Sequence, residues 1–502
     1  MKIVLSVDNM RKSEQAAFGA EDTNDIALMM RASRGIVKHI PSGKSIAVIV
    51  AGGNNGGDGY CCAMLLSQRG ENCTVIRASE KTTPAGQYYL DKCICAGIKM
   101  INYTADCALD EYDVILDSIF GTGFRGEIGG KYAEIIGKIN SSGAYVVSAD
   151  INSGLNGDSG IGPSAVKSDV TVAVGYLKPG HILSDAKDLT ARLVVEDIGI
   201  PYAQKPYYLL EGEDFTRIFP KRAANSNKGT YGYCALIGGS DRYPGAAKLA
   251  LLGETALRCG CGVARLAVPR GISPQVAEFA LETTVFPMAE REGIMAFDEG
   301  KLTELTRNIK SAGVGFGWGE GGDLPLILKW LIEKTDVPLV IDADGLNCLA
   351  KTGCDILRHR ENIILTPHPG EFARLIGKSV SEILSRPIDY AFDFAEQYKV
   401  TLLLKGCATV ITDSKEVYLT NTGCSGMAKG GSGDILTGII TSLCAQRAKD
   451  TELALIAAAA SYMAGKAGEY ASEDFGEEGM LPSDSVKYIP RVISEIKRGA
   501  LR

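Results

Sequence analysis

Apolar positions change period repeatedly along this chain. Residues 9–40 carry them at helical spacing, with Ala27, Met30, Ile36 and Val37 among them and charged residues between. Ser45-Ile46-Ala47-Val48-Ile49-Val50 is then a continuous apolar run, the pattern of a strand buried on both faces. A helix is expected from about Tyr60. Further strands are predicted at Cys73–Arg77, Val114–Asp117, Tyr145–Asp150 and Val170–Val174, with helical patterns over Thr83–Ala96 and Tyr132–Ile139 between them. Strands alternating with helices predict a doubly wound parallel α/β sheet.

From Gly199 to Asp214 the period is lost and Pro201 and Pro206 occur, so this stretch reads as a linker. A second α/β series follows. Its strands are Tyr233–Ile237, Val263–Val268, Leu339–Ile341, Ile363–Leu365 and Thr401–Leu404. Its helices run from Pro244-Gly245 through Leu257 and over Leu324–Glu333, with the glycine-rich Gly313–Gly319 placed after a helical segment. The 502 residues exceed the roughly 250–300 at which one core stops growing, so two domains are expected, 1–205 and 212–502.

Composition narrows the partners. There are 53 basic and 60 acidic residues and no long basic run, which gives nucleic acid and membrane surfaces no electrostatic support. The 14 cysteines form no Cys-x-x-Cys pair and there are 4 histidines, so a zinc site lacks its ligands, and free thiols imply a reducing cytoplasm. Asp8 interrupts the short apolar run at the N-terminus before a signal segment forms. The apolar stretch Leu453–Gly465 falls short of the ~18 residues of a membrane span. Small molecules are the expected partners.

In parallel sheets ligands sit beyond the carboxyl ends of strands. In the first half, three segments meet that description: Asn54–Asp58, Asp117–Glu127 (DSIFGTGFRGE) and Asp150–Gly154 (DINSG). The first lacks the Gly-x-Gly-x-x-Gly spacing of a dinucleotide fingerprint. Together they offer oxygen from Asn55, Asp117 and Ser153, which suits a hard cation. Each segment alone could merely shape a turn; their convergence at strand ends favours a site.

The second half is organised around Asn421–Asp434, NTGCSGMAKGGSGD, where glycines lead to an acid at the start of the apolar run Ile435-Leu436. Amides converging at a helix N-terminus make an anion hole with a carboxylate beside it. Alone, Asp434 would read as a helix N-cap. His368, held between Pro367 and Pro369, and Lys405 at a strand end add a positioned contact and a charge. These are the parts of a phosphoryl-transfer site, with Asp434 as general base.

The motifs NNGGDG, GTG four residues after Asp117, and DINSG where the family has D-I-P-S-G resemble the NAD(P)H-hydrate epimerase domain over roughly residues 9–205. Asn152 replaces the family's proline and Ala51-Gly52 its usual Gly-x. The resemblance implies that Asn54, Asn55, Gly56, Gly57, Asp58, Gly121, Thr122, Gly123, Phe124, Arg125, Gly126, Glu127 and Asp150 contact the hydrated nucleotide, and that Asn55, Asp117 and Ser153 hold potassium. GGSDRYPGAA, GVGFGWG, DADGLN, LTPHPGEFARLIG, LKGCATVI and NTGCSGMAKGGSGDILTGI resemble the ADP- or ATP-dependent NAD(P)H-hydrate dehydratase, a ribokinase-like α/β family, over about residues 212–500. Ala246, Gly317, His368 and Asp434 would then contact the hydrate, and Lys405, Gly406, Cys407, Ala408, Thr409 and Gly433 the adenine nucleotide, with Mg²⁺ on its phosphates. Asp434 and Asp150 are the expected catalytic residues. A cytoplasmic homo-oligomer acting on hydrated NADH and NADPH is expected. Two alternatives stand beside it: a ribokinase-like kinase of a vitamin precursor or sugar, and a non-catalytic scaffold on the N-terminal fold.

Overall fold

A computed structural model describes residues 1–18, 23–243, 245–448 and 450–499 of the chain, with the side chains of Ala246, Ala247 and Ala250 outside that description. The chain divides into two compact units, Lys2–Tyr207 and Tyr208–Arg502. In the first, parallel strands stand in the order Lys99–Asn102, Asn72–Arg77, Ser45–Val50, Val114–Ser118, Tyr145–Ala149, Val170–Val174 and Leu193–Glu196. Alternate residues of the Ser45–Val50 strand face two separate apolar clusters, Ile46, Val48 and Val50 one and Ala47 and Ile49 the other. That is why the strand reads as an unbroken apolar run. The order reverses between Ser45–Val50 and Val114–Ser118, so loops leaving those two strands diverge and open a crevice.

The structure bears out the helical spacing over residues 9–40 and corrects two other expectations. Residues 9–40 form two helices, Val7–Ala17 and Asp25–Val37, capped by the side chains of Ser6 and Asn24. The helix expected from Tyr60 begins at Asn54, so the glycine-rich motif is its first turns rather than a loop. Its glycines serve close packing: a β-carbon on Gly56 would lie 1.9 Å from the Ala51 carbonyl oxygen, and one on Gly59 2.5 Å from Val50. The stretch expected as a linker carries a strand, Tyr207–Leu209, and a 3-10 helix, Gly212–Ile218, and buries Leu210 and Phe215.

In the second unit the strands run Tyr207–Leu209, Val417–Thr420, Thr409–Thr412, Thr401–Leu404, Ile363–Leu365, Leu339–Ile341, Ser311–Val314, Tyr233–Ile237, Val263–Pro269 and Thr284–Met288. Pairing is parallel except at Thr409–Thr412, which is antiparallel to both neighbours. Gly313 and Val314 of the glycine-rich segment are strand residues, and the loop follows this strand rather than the helix Glu299–Thr306. Helix Leu453–Phe475 buries Ala454–Ala460 completely or nearly so, because it packs against the sheet and against helices Ser432–Gln446 and Pro482–Arg498. Its apolar run therefore belongs to a core helix. Among the described residues no helix is long and apolar enough to cross a membrane. All 14 cysteines are free thiols.

Candidate functional sites

In the N-terminal unit a cavity of about 680 Å³ opens at the strand-order reversal. Gly52, Gly53, Asn54, Asn55 and Asp58 line part of it, Phe120, Gly121, Thr122, Gly123 and Phe124 another part, and Asp150, Lys178, Glu14, Arg11 and Asp25 bring charge to a lining that also holds apolar side chains such as Met10, Leu28 and Met29. Gly56 and Gly57 pack inward, and Arg125, Gly126 and Glu127 lie outside the lining; the Arg125 guanidinium donates to the Thr122 and Phe124 carbonyls and pairs with Asp158 at 3.1 Å.

Asn55 is buried, and neither atom of its carboxamide has a hydrogen-bond partner. Such a group is costly unless a ligand satisfies it. Asp117 is fully buried but satisfied: Oδ2 accepts from the Ser148 hydroxyl at 3.0 Å and the Ser153 amide at 2.9 Å, and Oδ1 from the Ser153 hydroxyl at 2.5 Å. Burial raises its carboxyl above the ordinary value, and the Ser153 bonds work against that. The pair ties the end of strand Val114–Ser118 to the DINSG loop. Asn152 accounts for its own departure from the family pattern: its amide donates to Val166, Leu189 and Ser168, and its oxygen accepts from Thr171 and Thr190. A proline would supply stiffness there; the asparagine supplies it through hydrogen bonds.

Asp150 holds a left-handed backbone, φ 63°, rare for a residue with a β-carbon. The Lys178 ammonium, almost wholly buried, contacts Asp150 Oδ1 at 2.7 Å and the Val174 carbonyl at 2.9 Å. Burial is the largest influence and works to raise the Asp150 carboxyl, but the Lys178 charge and hydrogen bond, His181 and the Val174 amide together hold the group below its usual range. His181 Nδ1 accepts the Lys178 amide at 2.9 Å, so Nε2 carries the proton and donates to the Asp150 carbonyl at 2.7 Å. Neither Lys178 nor His181 was singled out from sequence. The available signal was Lys178-Pro179-Gly180-His181, shortly after a buried strand and holding one of only 4 histidines.

Burial and the Lys178 charge lower the His181 pKa to about 4 from 6.5. The unfolded chain takes up a proton below about pH 6.5 that the folded unit refuses until about pH 4, so stability falls as pH drops through that window and is untouched by His181 above it. Urea unfolding midpoints at pH 7 and pH 5 should fall more for the wild type than for His181→Gln. An equal fall in both proteins would remove His181 as the cause.

In the C-terminal unit Lys405 Nζ lies 3.0 Å from Asp342 Oδ1 and 3.9 Å from Glu371. Thr437 donates to the other Asp342 oxygen at 2.8 Å. A β-carbon on Gly433 would lie 3.5 Å from Lys405 Nζ and 3.6 Å from Asp342 Oδ2, so the Gly430–Gly433 loop meets this cluster. Asp434 is in the first turn of helix Ser432–Gln446, whose cap is Gly431 and has no side-chain cap bond; the reading of Asp434 as an N-cap is thereby corrected. Its carboxylate faces Lys248 Nζ at 3.3 Å. Burial raises the Asp434 carboxyl, Lys248 lowers it, and Asp342 raises it again. The first intrahelical bond runs from the Ile435 amide, leaving the Gly433 and Asp434 amides ahead of it for an anion.

His368 caps helix Pro369–Ile376: Nδ1 accepts the Gly370 amide at 3.0 Å, and Glu371 accepts the His368 amide at 2.8 Å. Its ring is 52% exposed, with Nε2 3.6 Å from a Glu371 carboxylate oxygen. Gly406, Cys407 and Ala408 form the hairpin between Thr401–Leu404 and Thr409–Thr412. Gly317, at φ 60°, sits against Gly239 and Tyr243. Pro244 lies outside the described residues, as does the side chain of Ala246, the first residue of its helix. The sequence reading passed over Lys248, Asp342, Glu371 and Thr437 as site residues.

Two family models match. Residues 25–180 fit the YjeF-related protein N-terminus and residues 234–491 fit NAD(P)H-hydrate dehydratase. The chain is 33% identical to a bifunctional NAD(P)H-hydrate repair enzyme of Moorella thermoacetica, over 94% of this chain and 93% of that one. The chain belongs to the bifunctional NAD(P)H-hydrate repair enzymes. A relative of the same name from Coxiella burnetii is 33% identical, over 96% of this chain and 98% of the relative. The crystal structure of a hypothetical protein of Streptococcus mutans is 24% identical, covers 58% of this chain and 99% of its own with a TM-score of 0.50, and is similar in fold. The repair-enzyme relatives span both units, whereas the kinase and scaffold alternatives each leave one unit unexplained.

Proposed function

We infer that this chain repairs hydrated NADH and NADPH: one unit interconverts the R and S forms at C6, and the other dehydrates the S form with an adenine nucleotide. The observation that carries it is the pairing, in one chain matched over 94% of its length by a repair enzyme, of a cavity with charged groups at a strand-order reversal and a carboxylate beside free helix N-terminal amides. The division of labour follows the units: Lys2–Tyr207 epimerises and Tyr208–Arg502 dehydrates.

In the dehydratase unit Asp434, its carboxyl raised by burial, accepts the proton of the C6 hydroxyl as that oxygen takes the terminal phosphoryl group. The Gly433 and Asp434 amides bind the transferring oxygens, and the phosphorylated carbinol then eliminates. Lys405 and His368 place the two substrates. Mg²⁺ would ride on the nucleotide phosphates, since among the described residues no group of three His, Cys, Asp or Glu forms a metal cage. In the epimerase unit an alkali cation would be held first by the orphaned Asn55 oxygen buried at the cavity; Asp117 and Ser153 offer oxygen alone but are hydrogen-bonded to each other and would exchange those bonds for the ion. When bound, potassium would supply positive charge to an anionic nucleotide.

A mixture of R and S hydrated NADH offered to the chain with ADP or ATP should be consumed completely in potassium buffer. With sodium in place of potassium, the S form should still disappear while the R form lingers. Consumption stopping at the S fraction in both buffers would strike out the epimerase, and indifference to nucleotide would strike out the dehydratase.

A further inference from the structure

Helix Val7–Ala17 buries Val7, Met10, Ser13 and Ala17, a stripe at three- and four-residue spacing. Glu14 falls on that stripe, where an apolar residue is the ordinary choice, and lines the N-terminal cavity beside Asp150 and Lys178. Its carboxyl has no hydrogen bond or ion pair among the described residues. A half-buried, unpaired carboxyl on a core-facing stripe costs free energy unless it serves something else.

Resting on the epimerase reading above, we propose that Glu14 is the general acid of the epimerase unit. Inverting C6 of the hydrate requires its hydroxyl to leave and return. Glu14 gives its proton to the C6 oxygen as the C6–O bond breaks and the ring nitrogen lone pair closes an N1=C6 double bond, releasing water. Water re-adds to C6 from the opposite face, the nitrogen recovers its pair, and the proton this water sheds goes to the Asp150 carboxylate. One proton is given and one taken, with no oxidation. Lys178 keeps Asp150 anionic beside the transient ring cation, and His181 fixes the Asp150 backbone.

The groups facing Glu14 suit the task. Burial raises its carboxyl first; Lys178 opposes this, Asp150 and Asp25 reinforce it, and Arg11 opposes it again. Asp58 from the neighbouring helix is raised well above the usual range by burial, Asp150 and Glu14. Asp150 is lowered, so the cavity holds acids pushed apart in opposite directions, the arrangement that separates a proton donor from an acceptor.

The test measures R-to-S interconversion of hydrated NADH by the full chain without nucleotide, for the wild type, Glu14→Gln and Glu14→Asp. Binding of the hydrate by each is measured alongside. Glu14→Gln should bind within about threefold of the wild type and interconvert about 10²- to 10⁴-fold more slowly, with Glu14→Asp between them. The wild-type rate should fall as pH rises through the raised Glu14 value, and that limb should be missing in Glu14→Gln. A Glu14→Gln rate near the wild type's, or loss of binding in step with loss of rate, overturns the role of Glu14 alone. A wild-type chain that leaves the R form untouched overturns the epimerase reading and this role with it.

Discussion

Asp434→Asn is expected to slow nucleotide-dependent dehydration by about 10²- to 10⁴-fold, the usual loss on removing a general base, while R-to-S interconversion stays near its starting level. The structure sharpens the contrast with a merely structural role. Asp434 does not cap its helix, since Gly431 does, so the substitution forfeits only a first-turn negative charge and one half-exposed ion pair with Lys248. The first is worth about 0.3–1 kcal/mol and the second less. Asparagine keeps the shape, so the Gly433 and Asp434 amides stay in place for the nucleotide. Steady-state dehydration of the S form and epimerisation of the R form, measured on the same preparation, decide the matter. Dehydration near the wild-type rate would reduce Asp434 to a charge at a helix start, and loss of both activities would break the assignment of one activity to each unit.

Legibility from sequence followed locality. Strands such as Ser45–Val50, Val170–Val174, Tyr233–Ile237 and Thr401–Leu404 stand where the apolar runs place them, because burial on both faces writes itself into consecutive residues. Edge strands Lys99–Asn102 and Leu193–Glu196 went unread: they are half-exposed and carry no such run. Site residues named by glycine and acid motifs were visible, but their partners were not. Lys178 reaches Asp150 across 28 positions, Lys405 reaches Asp342 across 63, and Lys248 meets Asp434 from a different helix. Nothing local marks those lysines as different from surface ones. Glycine was the most misleading signal. In NNGGDG it suggested a loop, yet the backbone there is helical and the missing side chain makes room for strand Ser45–Val50 and its loop.

That reversal predicts opposite signs for one substitution at two helical glycines. Gly137 lies within helix Gly130–Ser141 with nothing within 4 Å of a β-carbon, so Gly137→Ala should stabilise the N-terminal unit by about 0.4–1 kcal/mol through the unfolded chain's lost freedom. Gly56 lies in helix Asn54–Gln68, and propensity alone would give alanine the same advantage. Its β-carbon, however, would lie 1.9 Å from the Ala51 carbonyl oxygen and 2.9 Å from the Ala51 carbonyl carbon. Backbone cannot swing aside as a side chain does, so either the helix lifts from the strand or the Ala51 turn moves. Overpacking of this kind costs about 1–3 kcal/mol and more where backbone is the obstacle, which exceeds the propensity gain. The displaced turn leads directly into Asn54 and Asn55 at the cavity. Gly56→Ala should therefore lower the unfolding midpoint and abolish R-to-S interconversion while dehydration of the S form continues. A Gly56→Ala midpoint that rises as Gly137→Ala's does would mean that the helix does not press on Ala51 and that the motif's glycines serve the ligand alone.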